Sequence, residues 1–181
     1  SVDVFPKLTD DATLTLHEGN LTINAGGVFG AKTGQKIKKL VLESGDLTLN
    51  VARALSLAEE IEIGSGATNW GTLTIGAEDA ISSDIDFSKT PLELKAGKAT
   101  VTLKNASKMV VQGRTVLAEL KGNEKASVKL EAPLYIGKGA AYDVSAPVTG
   151  NDTLHLFATA AATAKLSQTP EVPVVVFGGQ A

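Results

Sequence analysis

Three clustered aspartates, two histidines and a single tryptophan are the side chains with the clearest chemical potential in this sequence. Asp84 and Asp86 flank Ile85, so an extended backbone sends both carboxylates to one side, with Asp79 a few residues away. Convergent carboxylates are what glycosidic cleavage requires as acid and base, and what Ca²⁺ requires as oxygen ligands. Here no Lys or Arg recurs beside them at a fixed spacing, and solvated surface charge accounts for the group. His17 and His155 are too far apart in the pattern described below to form a metal pair. No Gly-x-Ser-x-Gly elbow, phosphate loop, His-Glu-x-x-His or Gly-Gly-x-Gly-x-Asp calcium repeat is present. Gly26-Gly27 and Gly178-Gly179 lack the strand-to-helix setting of a nucleotide site. The expectation is therefore no enzyme: no catalytic residue, no cofactor and no metal.

Binding residues are sparse as well. Asn69 and Trp70 sit in a glycine-rich run, Gly64 to Gly71, and form a candidate ligand or partner loop. Trp70 either offers an aromatic platform of the kind that sugars stack on, or folds back as a plug. Tyr135 and Tyr142 are expected to neighbour each other at a corner. Thr22, Thr48, Thr74 and Thr102 recur as if stacked, with Lys129 and His155 continuing the same series. A flat double row of threonines would suggest an ice-binding face, but only Thr72/Thr74 and Thr100/Thr102 complete the pair. Strand preference of a β-branched residue explains the recurrence. Asn20, Asn105 and Asn151 begin Asn-x-Ser/Thr sequons, which matter only in a host that glycosylates exported protein.

The elements that must carry these residues follow from a repeat. Leu21-Thr22-Ile23, Leu47-Thr48-Leu49, Leu73-Thr74-Ile75, Val101-Thr102-Leu103, Val128-Lys129-Leu130 and Leu154-His155-Leu156 are separated by steps of 26, 26, 28, 27 and 26 residues. Their outer positions are all aliphatic and their centres all polar. Alternation of this kind means strand, and a fixed period of this length means stacked units. The chain is thus expected to be all-β: a single-domain β-solenoid, or parallel β-helix, of about seven coils with a period of about 26 residues. At about 4.8 Å per coil the rod would be about 33 Å long.

A second column precedes the first: Leu14/Leu16, Leu40/Leu42, Ile61/Ile63, Leu92/Leu94, Ala118/Leu120 and Val144. A third follows it: Phe29, Leu55/Leu57, Ile81, Met109/Val111, Leu134/Ile136 and Ala162. Three columns imply a triangular cross-section. Gly19, Gly45, Gly71, Ala99, Ala126 and Asp152 mark a corner two residues before the first column. Residues 1–13 are expected to cap the first coil or add an edge strand, 14–166 to form the coils, and 167–181 to end in an apolar strand. Val174, Val175, Val176 and Phe177 make that strand apolar on both faces. It either plugs its own chain or reaches into a neighbour. Open edges recruit further strands, so these four residues are the expected self-assembly segment.

Composition agrees. A hydrophobic content of 43% with only 4% aromatics suits an aliphatic core of thin layers. Net charge is −3, and the densest basic group is Lys36, Lys38 and Lys39 around Ile37, so nucleic acid has little to hold. Cysteine is absent, and no apolar stretch reaches the length of a membrane span. Ser1 in place of an initiator methionine is expected to reflect removal of an export signal.

The Leu-Thr-Leu and Gly-Thr-Leu-Thr-Ile runs, from about Leu14 to Leu156, resemble the coils of bacterial surface β-solenoids such as autotransporter passengers and filamentous-haemagglutinin-type adhesins. The resemblance is one of repeat pattern and carries no functional residue across. It implies an exported, elongated protein used for adhesion or as a scaffold, although seven coils are few for those groups. Function is therefore expected to be structural and extracellular: a secreted or surface subunit that joins copies of itself head to tail by strand pairing. The alternative is an adhesin module that binds glycan or a host surface, and the third is a polysaccharide-degrading β-helix enzyme. No nucleic-acid partner and no membrane insertion are expected.

Overall fold

The computed structural model describes residues 11–23, 37–49, 58–67, 70–76, 100–136, 142–157, 165–166 and 170–177. The described chain is all-β, with no helix among the described residues, and its strands form three parallel sheets. The arrangement is consistent with a parallel β-helix. The sheets are open rather than closed on themselves.

Among the described residues seventeen strands succeed one another. They are β1 (Thr13–Leu16), β2 (Asn20–Ile23), β3 (Ile37–Leu42), β4 (Asp46–Leu49), β5 (Ala58–Ile63), β6 (Thr72–Ile75), β7 (Thr100–Leu103), β8 (Lys108–Val111) and β9 (Thr115–Leu117). There follow β10 (Glu119–Gly122), β11 (Ser127–Leu130), β12 (Leu134–Ile136), β13 (Tyr142–Val144), β14 (Val148–Gly150), β15 (Leu154–Phe157), β16 (Lys165–Leu166) and β17 (Val174–Phe177). A seven-stranded sheet runs β1-β3-β5-β7-β10-β13-β16, a six-stranded sheet β2-β4-β6-β8-β11-β14, and a four-stranded sheet β9-β12-β15-β17. Successive strands pass from sheet to sheet, and every pairing is parallel.

Alternation does the sorting. On most strands the aliphatic side chains face inward and the intervening ones face out, although β9 is buried throughout and Val41 on β3 is buried as well. Leu40, Ile61, Val101 and Leu120 form one inward row, and Leu47, Leu73, Met109, Val128 and Val148 another; all are 3% exposed or less. The expected core residues Leu47, Leu49, Leu73, Ile75, Val101 and Leu103 are all buried. Unlike the covered parallel sheets of α/β proteins, these sheets present charged and hydroxylic residues outward.

The register departs from the 26-residue alignment after three strands. Leu21, Leu47 and Leu73 are in line as expected. The next positions in that sheet are Met109, Val128 and Val148, so the steps become 36, 19 and 20 residues. Val101-Thr102-Leu103 belongs instead to the seven-stranded sheet, between Ile61-Glu62-Ile63 and Leu120-Lys121-Gly122. Leu154-His155-Leu156 belongs to the four-stranded sheet, on Leu134-Tyr135-Ile136. Of the proposed second column, Leu14, Leu40, Ile61 and Leu120 share one sheet, with Val101 in the place assigned to Leu92; Ala118 falls outside β10, and the pair expected as Ala118/Leu120 is Leu120/Gly122. Leu134/Ile136 lie on a third face as expected, whereas Met109/Val111 lie in the six-stranded sheet, in line with the first column. The cause is that a period of two distinguishes inside from outside and says nothing of which sheet a strand joins. Phe29, Leu55, Leu57, Ile81, Leu92, Leu94, Ala99 and Ala162 lie outside the described residues.

The corner between the first two sheets is built from stacked backbone. The carbonyls of Gly19, Gly45 and Gly71 accept from the amides of Asp46, Thr72 and Lys108 at 3.2, 2.9 and 2.9 Å. Gly19 and Gly45 both turn at φ +112°, a region L side chains rarely enter. Further along, Ser107 takes the corner position, fully buried, with the single proton of its hydroxyl shared between the carbonyls of Ile63 and Lys104. Asn105 adopts φ +54° and donates Nδ2 to the Gly64 carbonyl at 2.7 Å.

Candidate functional site

The threonine ladder is real but short. Thr22, Thr48 and Thr74 are in register on the outer face of the six-stranded sheet, and the row continues with Val110, Lys129 and Thr149. Thr102 is not part of it: it lies between Glu62 and Lys121 on another sheet. His155 is not part of it either. Asp46, Lys108 and Lys129 share the threonine face, so it is no flat hydroxyl lattice.

Outward charges on the seven-stranded sheet pair between neighbouring strands. Lys38 meets Glu59 at 2.9 Å, and Glu62 lies between Lys39 at 3.4 Å and Lys104 at 3.6 Å. An open depression of about 310 Å³ beside them is lined by Thr102, Lys104, Asn105, Lys121 and Asn123. Its two lysines already face carboxylates, Glu62 and Glu119. Asp79, Asp84 and Asp86 lie outside the described residues. Among the described residues no three His, Asp or Glu side chains converge as metal ligands, and no helix is long and apolar enough to cross a membrane.

The two histidines occupy opposite environments. His17 is exposed and its Nδ1 lies 2.8 Å from Glu43 Oε2, which raises its pKa through the hydrogen bond and the charge. His155 stacks on Tyr135 with ring centroids 4.1 Å apart and planes 7° from parallel. Burial lowers its pKa, Arg114 lowers it further and Asp152 opposes the shift. Sequence reasoning missed this pair, because Tyr135 and His155 become neighbours only once β12 is set on β15. Tyr142, the expected neighbour of Tyr135, is on the seven-stranded sheet, next to Leu120.

Trp70 is 43% exposed. Its Nε1 donates to the Gly66 carbonyl at 3.1 Å within the same loop. Asn69 lies outside the described residues.

The apolar end segment forms β17, and it is docked on its own chain. Val174, Val175, Val176 and Phe177 pair with Leu154, His155, Leu156 and Phe157. Val174 and Val176 therefore face inward and Val175 outward, as alternation requires. Within the chain neither face is fully covered: Val175 is 45% and Val176 60% exposed. β17 is the last strand of its sheet, so no described residue lies above Val176 to close the core. On the adjoining face, Pro170 and Pro173 bracket Val172, which is buried. Proline blunts an edge by removing its donor; β17 carries neither proline nor charge. At the other end Leu14, Leu16 and Leu21 are only partly buried, where Leu40, Leu42 and Leu47 above them are 1–2% exposed.

Comparison with known proteins finds no matching family model, no similar curated protein and no similar solved structure.

Proposed function

We propose that this chain is a β-solenoid subunit of about seven coils that stacks end to end with copies of itself, as a structural element of a fibre or layer outside the cell. The observation that carries this reading is β17: an uncharged, proline-free strand, the last of its sheet among the described residues, with Val175 and Val176 exposed. Full burial of a side chain of this size is worth about 1.5–3 kcal/mol, and the strand edge offers unpaired backbone groups as well. The partly buried leucines of β1 and β2 supply a second incomplete surface at the opposite end. Joining unlike ends is a heterologous contact, and when it does not close it makes a filament.

Because β17 covers β15, deleting residues 170–181 would uncover Leu154 and Leu156 and create a new apolar edge. The better test leaves the strand in place. Sedimentation velocity over a range of concentrations should show growing assemblies for the intact chain and a monomer for a Val175→Lys/Val176→Lys variant. A monomer at the highest soluble concentration for the intact chain refutes the reading.

A further inference from the structure

The corner between the seven- and six-stranded sheets holds an indole in place without covering it. Trp70 is one of three large apolar side chains left exposed among the described residues, and the other two belong to the open end. The part of its loop from Gly64 to Gly66 is fastened to the strands on both sides. The Gly64 and Gly66 amides donate to the Leu42 and Glu43 carbonyls at 2.8 and 2.9 Å, and the Gly64 carbonyl accepts from Asn105 Nδ2. The single donor of the indole is satisfied by Gly66. What Trp70 offers outward is therefore an apolar π-surface whose only donor is already bonded.

Polar groups stand on the same corner. Glu43, to which the loop is bonded through Gly66, holds His17 by its carboxylate, and Ser44 Oγ donates to the His17 carbonyl at 3.1 Å. A Cβ added to Gly66 would lie 3.5 Å from Glu43 Cβ, so that side chain leaves the backbone directly beside the tryptophan loop. An apolar ring surface with a carboxylate–imidazole pair near it matches a pyranose, which has a C–H face and a rim of hydroxyls. Nucleic acid fits poorly, because stacking a base here would bring its phosphates toward Glu43.

We infer that the Trp70 corner binds a neutral saccharide, with one sugar ring on the indole and hydroxyls bonded by Glu43 and His17. The inference does not depend on end-to-end assembly. One stacked ring and one polar pair give weak binding, with Kd of about 0.1–10 mM.

Trp70 is the only tryptophan, so its fluorescence reports the site directly. The full chain is titrated with cellopentaose, chitopentaose and maltopentaose, and a saturable change in emission with at least one of them is expected. By calorimetry, Trp70→Ala should abolish binding of that sugar and Glu43→Gln should weaken it severalfold, with circular dichroism confirming the fold. If Trp70→Ala fails to fold, Trp70→Phe replaces it and should bind more weakly than the intact chain. The inference is overturned if none of the three sugars gives a saturable change or if removal of the indole leaves affinity intact. It is also overturned if emission follows protein concentration and not sugar, since the corner would then be a contact between copies.

Discussion

Gly19 and Gly45 offer a controlled comparison, because both turn at φ +112° and only one is crowded. An alanine at either position is strained by about 1–2 kcal/mol for its backbone conformation. The gain from stiffening the unfolded chain, about 0.4–1 kcal/mol, is common to both and cancels in the difference. At Gly19 a Cβ meets nothing within 4 Å. At Gly45 it falls inside the van der Waals envelope of the Gly19 carbonyl oxygen, which is backbone and cannot rotate away. The strands must separate there, losing the 3.2 Å bond from the Asp46 amide to Gly19. Overpacking at about 1–3 kcal/mol and the lost bond at about 0.5–1.5 kcal/mol add on top of the shared strain. Gly45→Ala should therefore cost about 2–4 kcal/mol more than Gly19→Ala. With a urea slope of about 1–3 kcal/mol per molar, the two midpoints should differ by about 1 M or more. Urea titrations followed by far-ultraviolet circular dichroism measure this. Equal midpoints would refute the corner stacking.

Leu73→Ala, in a fully buried position between Leu47 and Met109, should cost about 2–5 kcal/mol in the same titration. Replacing Thr22, Thr48 and Thr74 together by valine should leave the circular dichroism spectrum and midpoint nearly unchanged, since the face is outward and valine keeps the strand preference. Burial keeps the folded pKa of His155 below its ordinary 6.5. Its stabilising contribution is therefore complete above about pH 6.5 and lost as pH falls toward the folded value; His155→Gln should flatten the decline in urea midpoint on the acid side. His17 has the opposite sign, because pairing with Glu43 raises its pKa: its contribution is present below 6.5 and lost as pH rises through the folded value.

The strands and the inward residues were legible because alternation survives in single triplets. Leu47-Thr48-Leu49 and Val101-Thr102-Leu103 read identically, however, and lie on different sheets. What separates them is the number of residues in the intervening turns, which hydrophobic pattern does not encode. The spacing of 26 between Leu21, Leu47 and Leu73 made a longer extrapolation look sound. From β7 onward most steps are 19 or 20 residues, and the apparent matches at Val101 and Leu154 arise from neighbouring faces. The Trp70 loop was visible as extra glycine-rich length in one coil. The Tyr135–His155 stack was not, since it depends wholly on register. For β17, composition indicated a strand but not its partner, because Val174 to Phe177 would suit any parallel edge.

The uneven steps also bear on how the chain folds. Between β7 and β17 in-register partners are about 20 residues apart, so each added layer closes a loop of nearly constant length. Topological complexity then does not rise as layers are added. The join between β5 or β6 and the strands above it spans 40 or 36 residues instead. Doubling a loop costs only about 0.6 kcal/mol in closure entropy, too little to weaken the finished structure. It is enough to slow one step relative to the others. The upper layers should zip as one cooperative unit, with β1 to β6 joining in a separate event, and amide exchange should divide at that join.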